Sequence, residues 1–231
     1  MANYINKNIL SQAYIHVEPK GIETEEELEA FKVKLTEFAK SRTDFFLGDN
    51  LDINIEFEDG SIKARITIMG TIFILLNGIS NYKNFREGLQ LLHSDAKWLS
   101  DSIISESLYE TKAKNQDVIR VEARTGIIGS AHKILNQLEL IKSGANGSML
   151  ATDIANKIEK VEKDIRKLID NMNDSNDKLL VTKEAIEIIN NLPETPIPPK
   201  DKFNPELGII EYRKKSTSLS QTLNSILHKY S

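Results

Sequence analysis

The sequence contains no cysteine. It can therefore form no disulfide, no thiolate nucleophile and no cysteine-ligated zinc or iron–sulfur site. Freedom from cysteine fits a reducing compartment, so we expect a cytoplasmic protein. The opening residues, MANYINKNILSQAY, lack the apolar core and the small-residue cleavage site of a secretory signal, which agrees with this expectation.

A strong charge excess and a long apolar run are also lacking. The formal net charge is -4 over 231 residues, and we expect no nucleic acid partner because such domains usually carry a basic excess. The most apolar run, Thr71–Leu76, is far shorter than the roughly 20 residues of a membrane-spanning helix. It predicts a buried strand or the start of a buried helix. Abundant Ile, Lys and Asn are typical of an AT-rich bacterial or phage genome.

Sequence patterns of catalytic and metal sites are scarce as well. None of the four histidines has a ligand partner at i+3 or i+4 on a predicted helix. The segment from Gly126 to Lys133 lacks the Gly-Lys-Ser/Thr ending of a phosphate-binding loop, so its glycines predict close helix packing instead. No Gly-x-Ser-x-Gly elbow is present. We therefore predict no catalytic, cofactor-binding or metal-binding residue, although residues distant in sequence could still converge on an active site.

The clearest local structure lies between Leu51 and Ile68. Apolar residues alternate on both sides of Asp59-Gly60, which predicts a β-hairpin with a two-residue type I′ turn. An alternating segment, Ala13–Glu18, predicts a third strand beside it. The expected hairpin pairs are Phe57 with Ile62, Ile55 with Ala64, Ile53 with Ile66, and Leu51 with Ile68.

Two amphipathic helices are expected around this sheet. Thr24 and Glu27 form a capping box that predicts a helix over about 24–41. Apolar residues at steps of three and four predict a long helix over about 80–112, with Trp98 packed at the edge of its apolar stripe.

Residues 118–124 fit either a strand or a helix. A helix is favoured because this segment leads into apolar residues at steps of four and three, namely Ile127, Ala131, Ile134, Leu138 and Ile141. After a glycine-containing connection at 143–148, a heptad pattern predicts a second helix, and the two together predict an antiparallel helical hairpin. A shorter helix is expected from Val181 to Leu192. The heptad residues are Ile154, Ile158, Val161, Ile165, Leu168 and Met172.

Five of the six prolines lie between Pro193 and Pro205, which predicts an extended linker or a surface-hugging arm. A basic amphipathic helix is expected after it. This helix either packs back on its own domain or enters a groove on another protein or a second copy. The candidate partner-binding residues are Arg213, Lys214, Lys215, Leu219, Leu223, Ile226 and Tyr230.

These patterns predict a predominantly helical α+β protein with a small antiparallel sheet built around a β-hairpin and covered by helices, plus a helical hairpin and a C-terminal helix. The expected limits are 1–112 for the α+β domain, 113–192 for the helical hairpin, 193–211 for the linker and 212–231 for the last helix.

The leading hypothesis for function is a non-catalytic protein-interaction or assembly subunit of a bacterial or phage system, with a protein partner or self-association through its coiled-coil-like helices. One alternative is a membrane-docking effector that uses residues 71–79 and the basic tail. A second is an enzyme whose site forms only in three dimensions.

Overall fold

The computed structural model describes residues 8–19, 22, 24–49, 51–58, 62–77 and 85–231. The chain divides into two compact units, Met1–Gly129 and Ser130–Ser231. As predicted, the fold is α+β and predominantly helical. The described residues contain a four-stranded antiparallel sheet, which lies in the first unit.

The first unit contains four strands and three α-helices among the described residues. Its elements are β1 (Ile9–Val17), α1 (Glu25–Leu47), β2 (Asp52–Glu58), β3 (Ile62–Met69), α2 (Ile72–Asn77), α3 (Phe85–Glu110) and β4 (Val118–Arg124). The strands lie in the order β2-β3-β1-β4, and every neighbouring pair is antiparallel. With α2 as a short addition, this is the strand–helix–strand–strand–helix–strand order of split β-α-β folds.

Helices α1 and α3 cover one face of the sheet. Phe31 of α1 makes an edge-to-face contact with Phe57 of β2, and the Ser11 hydroxyl of β1 donates a hydrogen bond to the Ala96 carbonyl of α3 at 2.9 Å. The other face is polar, since Arg65 and Arg120 flank the Tyr14 ring at 5.7 Å each. The core of this unit therefore lies on the helical side of the sheet.

The predicted hairpin strands are confirmed, but the predicted register is wrong by two residues. Phe57 pairs with Ala64, and Ile55 pairs with Ile66. A shift of two keeps every side chain on its expected face, so the apolar pattern cannot distinguish the two registers. The predicted turn at Asp59-Gly60 lies outside the described residues.

Residues 118–124 form a strand, so the helix favoured by the sequence is wrong there. In β4, Val121 pairs with Ile15 and Ala123 pairs with Ala13 of β1. The alternation of apolar and polar residues in 118–124 therefore reflects pairing with β1, which lies about a hundred residues earlier in the chain. The third strand predicted at Ala13–Glu18 is confirmed as part of β1, which pairs with β3.

The helices of the first unit differ from the expected ones in detail. The Thr24 and Glu27 capping box is confirmed, but α1 continues to Leu47. The region 80–84, where the second helix was expected to begin, lies outside the described residues, and α3 is described from Phe85. Trp98 is 67% exposed rather than packed at the edge of the apolar stripe.

The second unit contains helices only, among the elements described. They are α4 (Gly126–Ala145), whose first turn belongs to the first unit, α5 (Ala151–Asn171), α6 (Ser175–Asn190) and α7 (Glu206–Tyr230). The six predicted heptad residues around α5 are all buried. Glu159 pairs with Lys163 at 2.7 Å and Glu162 with Arg166 at 2.9 Å, as the i,i+4 spacing predicts.

The start of α4 confirms the close packing expected of its glycines. A Cβ at Gly126 would lie 1.9 Å from the Ile9 carbonyl oxygen, and one at Gly129 would lie 2.0 Å from the Thr125 hydroxyl. Gly126 also has a φ of +46°, in the left-handed region that favours glycine. This glycine is therefore required by the backbone contact.

Candidate interaction surface on the C-terminal helix

Helix α7 packs along α5 and α6 within the second unit. Its Tyr212, Leu219 and Leu223 side chains are buried. At Gly208 an added Cβ would lie 2.9 Å from the Thr152 Cγ2 atom of α5, so the two helices approach closely there. The helix is therefore part of the core of this unit.

The predicted apolar contact residues of α7 all contribute to this packing. Leu219 and Leu223 are fully buried, whereas Ile226 and Tyr230 are half-buried. The Lys178 ammonium of α6 lies 4.4 Å from the centre of the Tyr230 ring and donates a 3.3 Å hydrogen bond to its hydroxyl. Their role in binding a partner stays a prediction, and it would require α7 to leave this position.

One predicted basic residue, Lys215, is joined to α5 by an ion pair. The Lys215 ammonium lies 2.7 Å from a carboxylate oxygen of Glu159, whose other oxygen accepts a hydrogen bond from Lys163 at 2.7 Å. These hydrogen bonds from Lys163 and Lys215 lower the pKa of Glu159 to about 2. The same contact with Glu159 raises the pKa of Lys215. The pair therefore stays ionised over the physiological pH range.

A second carboxylate of α5, Glu162, binds hydroxyl groups of α7. It accepts hydrogen bonds from Thr222 at 2.8 Å and from Ser218 at 3.2 Å, and it also pairs with Arg166. Burial alone would raise the pKa of Glu162, but the hydrogen bonds from Arg166, Thr222 and Ser218 outweigh burial and lower it. Together with Glu159, it fixes the position of α7 along α5.

The first turns of α7 also hold the proline-rich segment that precedes them. The Tyr212 hydroxyl donates a 2.6 Å hydrogen bond to the Pro193 carbonyl, and burial raises the pKa of this phenol. Arg213 donates to the Glu194 carbonyl at 3.1 Å and to the Thr195 hydroxyl at 2.8 Å. Arg213 is thus bonded within the chain, whereas Lys214 is exposed.

The middle of the proline-rich segment is anchored as well. Asn204 accepts a hydrogen bond from the Ala151 amide at 2.9 Å and donates one to the Pro196 carbonyl at 2.8 Å. The Ile197 amide donates to the Ala145 carbonyl at 2.8 Å. The segment is therefore a surface-hugging arm rather than a free linker.

An exposed apolar stripe lies at the start of α7. Phe203 and Leu207 are each 80% exposed and Ile210 is 54% exposed. Leu207 and Ile210 are three residues apart and lie on one side of α7, and Phe203 lies in the segment just before the N-cap residue, Pro205. All three residues lie within the linker predicted over 193–211, although the spacing of Leu207 and Ile210 fits a helix. We call Phe203, Leu207 and Ile210 the α7 stripe.

A cleft of about 510 Å³ lies between the end of α6, the proline-rich segment and α7. Of the described residues that line this cleft, Glu194 and Arg213 are charged and the others are polar or apolar. None of these lining residues is a histidine. Across the described parts of the chain, no group of three or more His, Asp or Glu side chains could hold a metal ion.

Comparison of the chain with protein-family models, with curated protein sequences and with solved structures finds no match. Among the described residues, no helix combines the length and the apolar character needed to cross a bilayer.

Proposed function

We propose that the chain is a non-catalytic protein-interaction subunit of a larger bacterial or phage assembly, and that the α7 stripe is one of its contact surfaces. The observation that carries this proposal is the exposure of Leu207 and Ile210 on one side of α7, with the exposed Phe203 just before the start of that helix. Apolar side chains one turn apart, such as Leu207 and Ile210, are the anchors by which a helix enters an apolar groove on a partner.

Phe203 and Leu207 of the α7 stripe contribute little to the core of their own unit. A large apolar side chain that stays 80% exposed removes little of its surface from water, so it contributes little to folding. Large apolar and aromatic residues are, in contrast, enriched where proteins bind one another. Binding is therefore the role that these three side chains fit.

The fixed position of α7 on the helices of its own unit also favours the binding of a partner. The buried Leu219 and Leu223 and the ion pair between Lys215 and Glu159 hold the helix in place before any partner arrives. A contact surface that is already ordered loses less conformational entropy on association. The exposed Lys214 lies one turn beyond Ile210 and would meet an acidic group at the rim of the partner's groove.

Site-specific photocrosslinking in the source cell tests this proposal. With p-benzoylphenylalanine in place of Leu207, we expect one discrete protein adduct. The same amino acid in place of Asn224, an exposed residue on the same helix, is the matched control and should give no such adduct. Equal adducts at both positions would contradict the proposal.

The crosslinked protein, once identified, must then bind the purified full-length chain. We expect the double variant Phe203→Ala, Leu207→Ala to weaken that binding at least about tenfold, since each removes a buried apolar anchor. Its circular dichroism should match the wild type, because neither side chain is buried in the free chain. Unchanged affinity would show that the stripe is not the contact surface.

A further inference from the structure

The two edges of the four-stranded sheet carry very different side chains. Edge strand β2 places Asp52, Asn54, Glu56 and Glu58 in exposed positions along one face. Three carboxylates in one row repel a second strand of the same kind, which is a common way to protect an edge from pairing. Strand β4, the opposite edge, has no such row.

The apolar face of the sheet continues to β4, where α3 packs against the strand but leaves part of its apolar surface exposed. Val121 and Ala123 lie on the face that carries the buried Ile15 and Ala13 of β1. Nevertheless, Val121 is 37% exposed, Ala123 is exposed, and the neighbouring Ile119 is 53% exposed. An edge strand with exposed apolar side chains on one face is a template for pairing with another strand.

The polar face of β4 carries charges of both signs in alternation. Arg120, Glu122 and Arg124 project on the same side, and Glu122 is paired with both arginines of its own strand. The alternation of positive and negative residues means that an antiparallel copy of the same strand can place opposite charges across from each other.

We propose that β4 of one copy of this chain pairs with β4 of a second copy in antiparallel orientation. The two-fold axis passes midway between the two Val121 residues. Glu122 of each copy then lies opposite Arg120 of the other copy, so that two cross-strand ion pairs form at once. On the apolar face, Val121 meets its own equivalent. The two sheets become one sheet of eight strands.

The charges select this register among the two-fold arrangements of β4. Moving the axis to Arg120 or to Glu122 would place like charges directly opposite each other, which destabilises a strand pair. An axis between two residues would place polar side chains opposite apolar ones. A two-fold contact of this kind is isologous and closes at two copies, so no fibre forms.

Sedimentation velocity on the full-length protein, from about 1 to 500 µM, tests the stoichiometry because an isologous contact must stop at a dimer. We expect monomer at the low end and dimer at the high end. A monomer throughout would overturn the proposal. A mass that rises beyond the dimer would also overturn it, since open-ended growth indicates pairing of β4 with β2 of another copy.

Cysteine crosslinking tests the register, and the chain offers a background free of thiols. Val121→Cys places two thiols opposite each other across the axis, whereas Ala123→Cys is the matched control on the same face. Two copies of position 123 would be about 13 Å apart along the strands, from a rise of about 3.3 Å per residue, which is too far for a disulfide.

We expect oxidation to crosslink Val121→Cys at least about tenfold faster than Ala123→Cys, as the distance limit for disulfides requires. Equal rates would overturn the register. Glu122→Arg should abolish the dimer, and adding Arg120→Glu should restore it with the charges exchanged. Failure of that rescue, in a variant whose circular dichroism matches the wild type, would also count against the proposal.

This contact is independent of the α7 stripe. The double variant Phe203→Ala, Leu207→Ala should leave the dimer and the Val121→Cys crosslink unchanged. Loss of the dimer in that variant would place the contact between copies on α7 and would overturn the assignment to β4.

Discussion

Replacing Leu223 with alanine is expected to destabilise the second unit by about 3 kcal/mol, whereas the same change at Leu207 should alter stability by less than about 0.5 kcal/mol. The two leucines belong to one helix, α7, and lose the same atoms. Leu223 is fully buried, but Leu207 is 80% exposed. The comparison therefore isolates burial from helix propensity, which changes equally at both positions.

The size of the first effect follows from two contributions. Truncating a buried leucine removes its transfer free energy and leaves a cavity that the neighbouring helices fill only in part. With a slope of about 2 kcal/mol per molar urea, a loss of about 3 kcal/mol moves the unfolding midpoint down by about 1.5 M. Urea titration followed by circular dichroism measures this shift.

Trp98, the single tryptophan, provides a separate signal in the same titration. It lies in α3 of the first unit, so its fluorescence reports the unfolding of that unit. The remaining change in circular dichroism can then be assigned to the helices of the second unit. Midpoints that shift equally for Leu223→Ala and Leu207→Ala would refute the packing of α7, because burial would then make no difference.

Three further predictions concern other parts of the chain. Gly126→Ala should cost about 3 kcal/mol, because it adds strain at a positive φ and a clash with the Ile9 carbonyl, and a wild-type thermal melt would contradict this contact. The pKa of Glu159 is about 2 in the folded chain and 4.5 ordinarily, so its ion pairs stabilise fully above pH 4.5 and lose their effect as the pH falls through 2. In an acid titration Glu159→Gln should therefore lose less stability over this range, and identical curves would argue against the pair with Lys215. Ile165→Asp buries an unpaired charge and should lower the free energy of unfolding by about 4 kcal/mol. A urea unfolding midpoint equal to that of the wild type would show that this position is not buried.

Helix α5 was the part of the fold most open to prediction from sequence. Its apolar residues repeat at three and four over the whole helix, and charged residues fill the other side. The i,i+4 pairs reinforce the same answer, so two independent local signals agree. Local signals suffice because a helix satisfies its own backbone hydrogen bonds.

The hairpin register and β4 depended on information that local patterns lack. A shift of two residues preserves both faces, and charge pairing was the remaining guide. The observed register places Glu58 near Lys63 at 3.5 Å and Glu56 near Arg65 at 3.1 Å, whereas the predicted one matched a single acid–base pair. For β4 the deciding partner is a strand about a hundred residues away, which a seven-residue pattern cannot reveal.

The candidate surface was predicted on the right helix but with the wrong beginning. Proline was taken to extend the linker through residue 211, yet Pro205 lies at the N-cap of α7, where a proline is compatible with a helix start. The ion pair of Lys215 was also out of reach, because Glu159 lies 56 residues earlier. The α7 stripe was missed because its three residues were assigned to the predicted linker, 193–211.

The position of α7 has a consequence for the order in which the chain folds during synthesis. The last residue of the first unit, Gly129, leaves the ribosome about 100 residues before Tyr230. At about 5 to 20 residues per second, the first unit has roughly 5 to 20 s to fold before α7 is complete. Helix α6 is complete at Asn190, about 40 residues before Tyr230. For roughly 2 to 8 s at the same rate, the apolar sides of α5 and α6 are therefore exposed without α7 and could bind a chaperone.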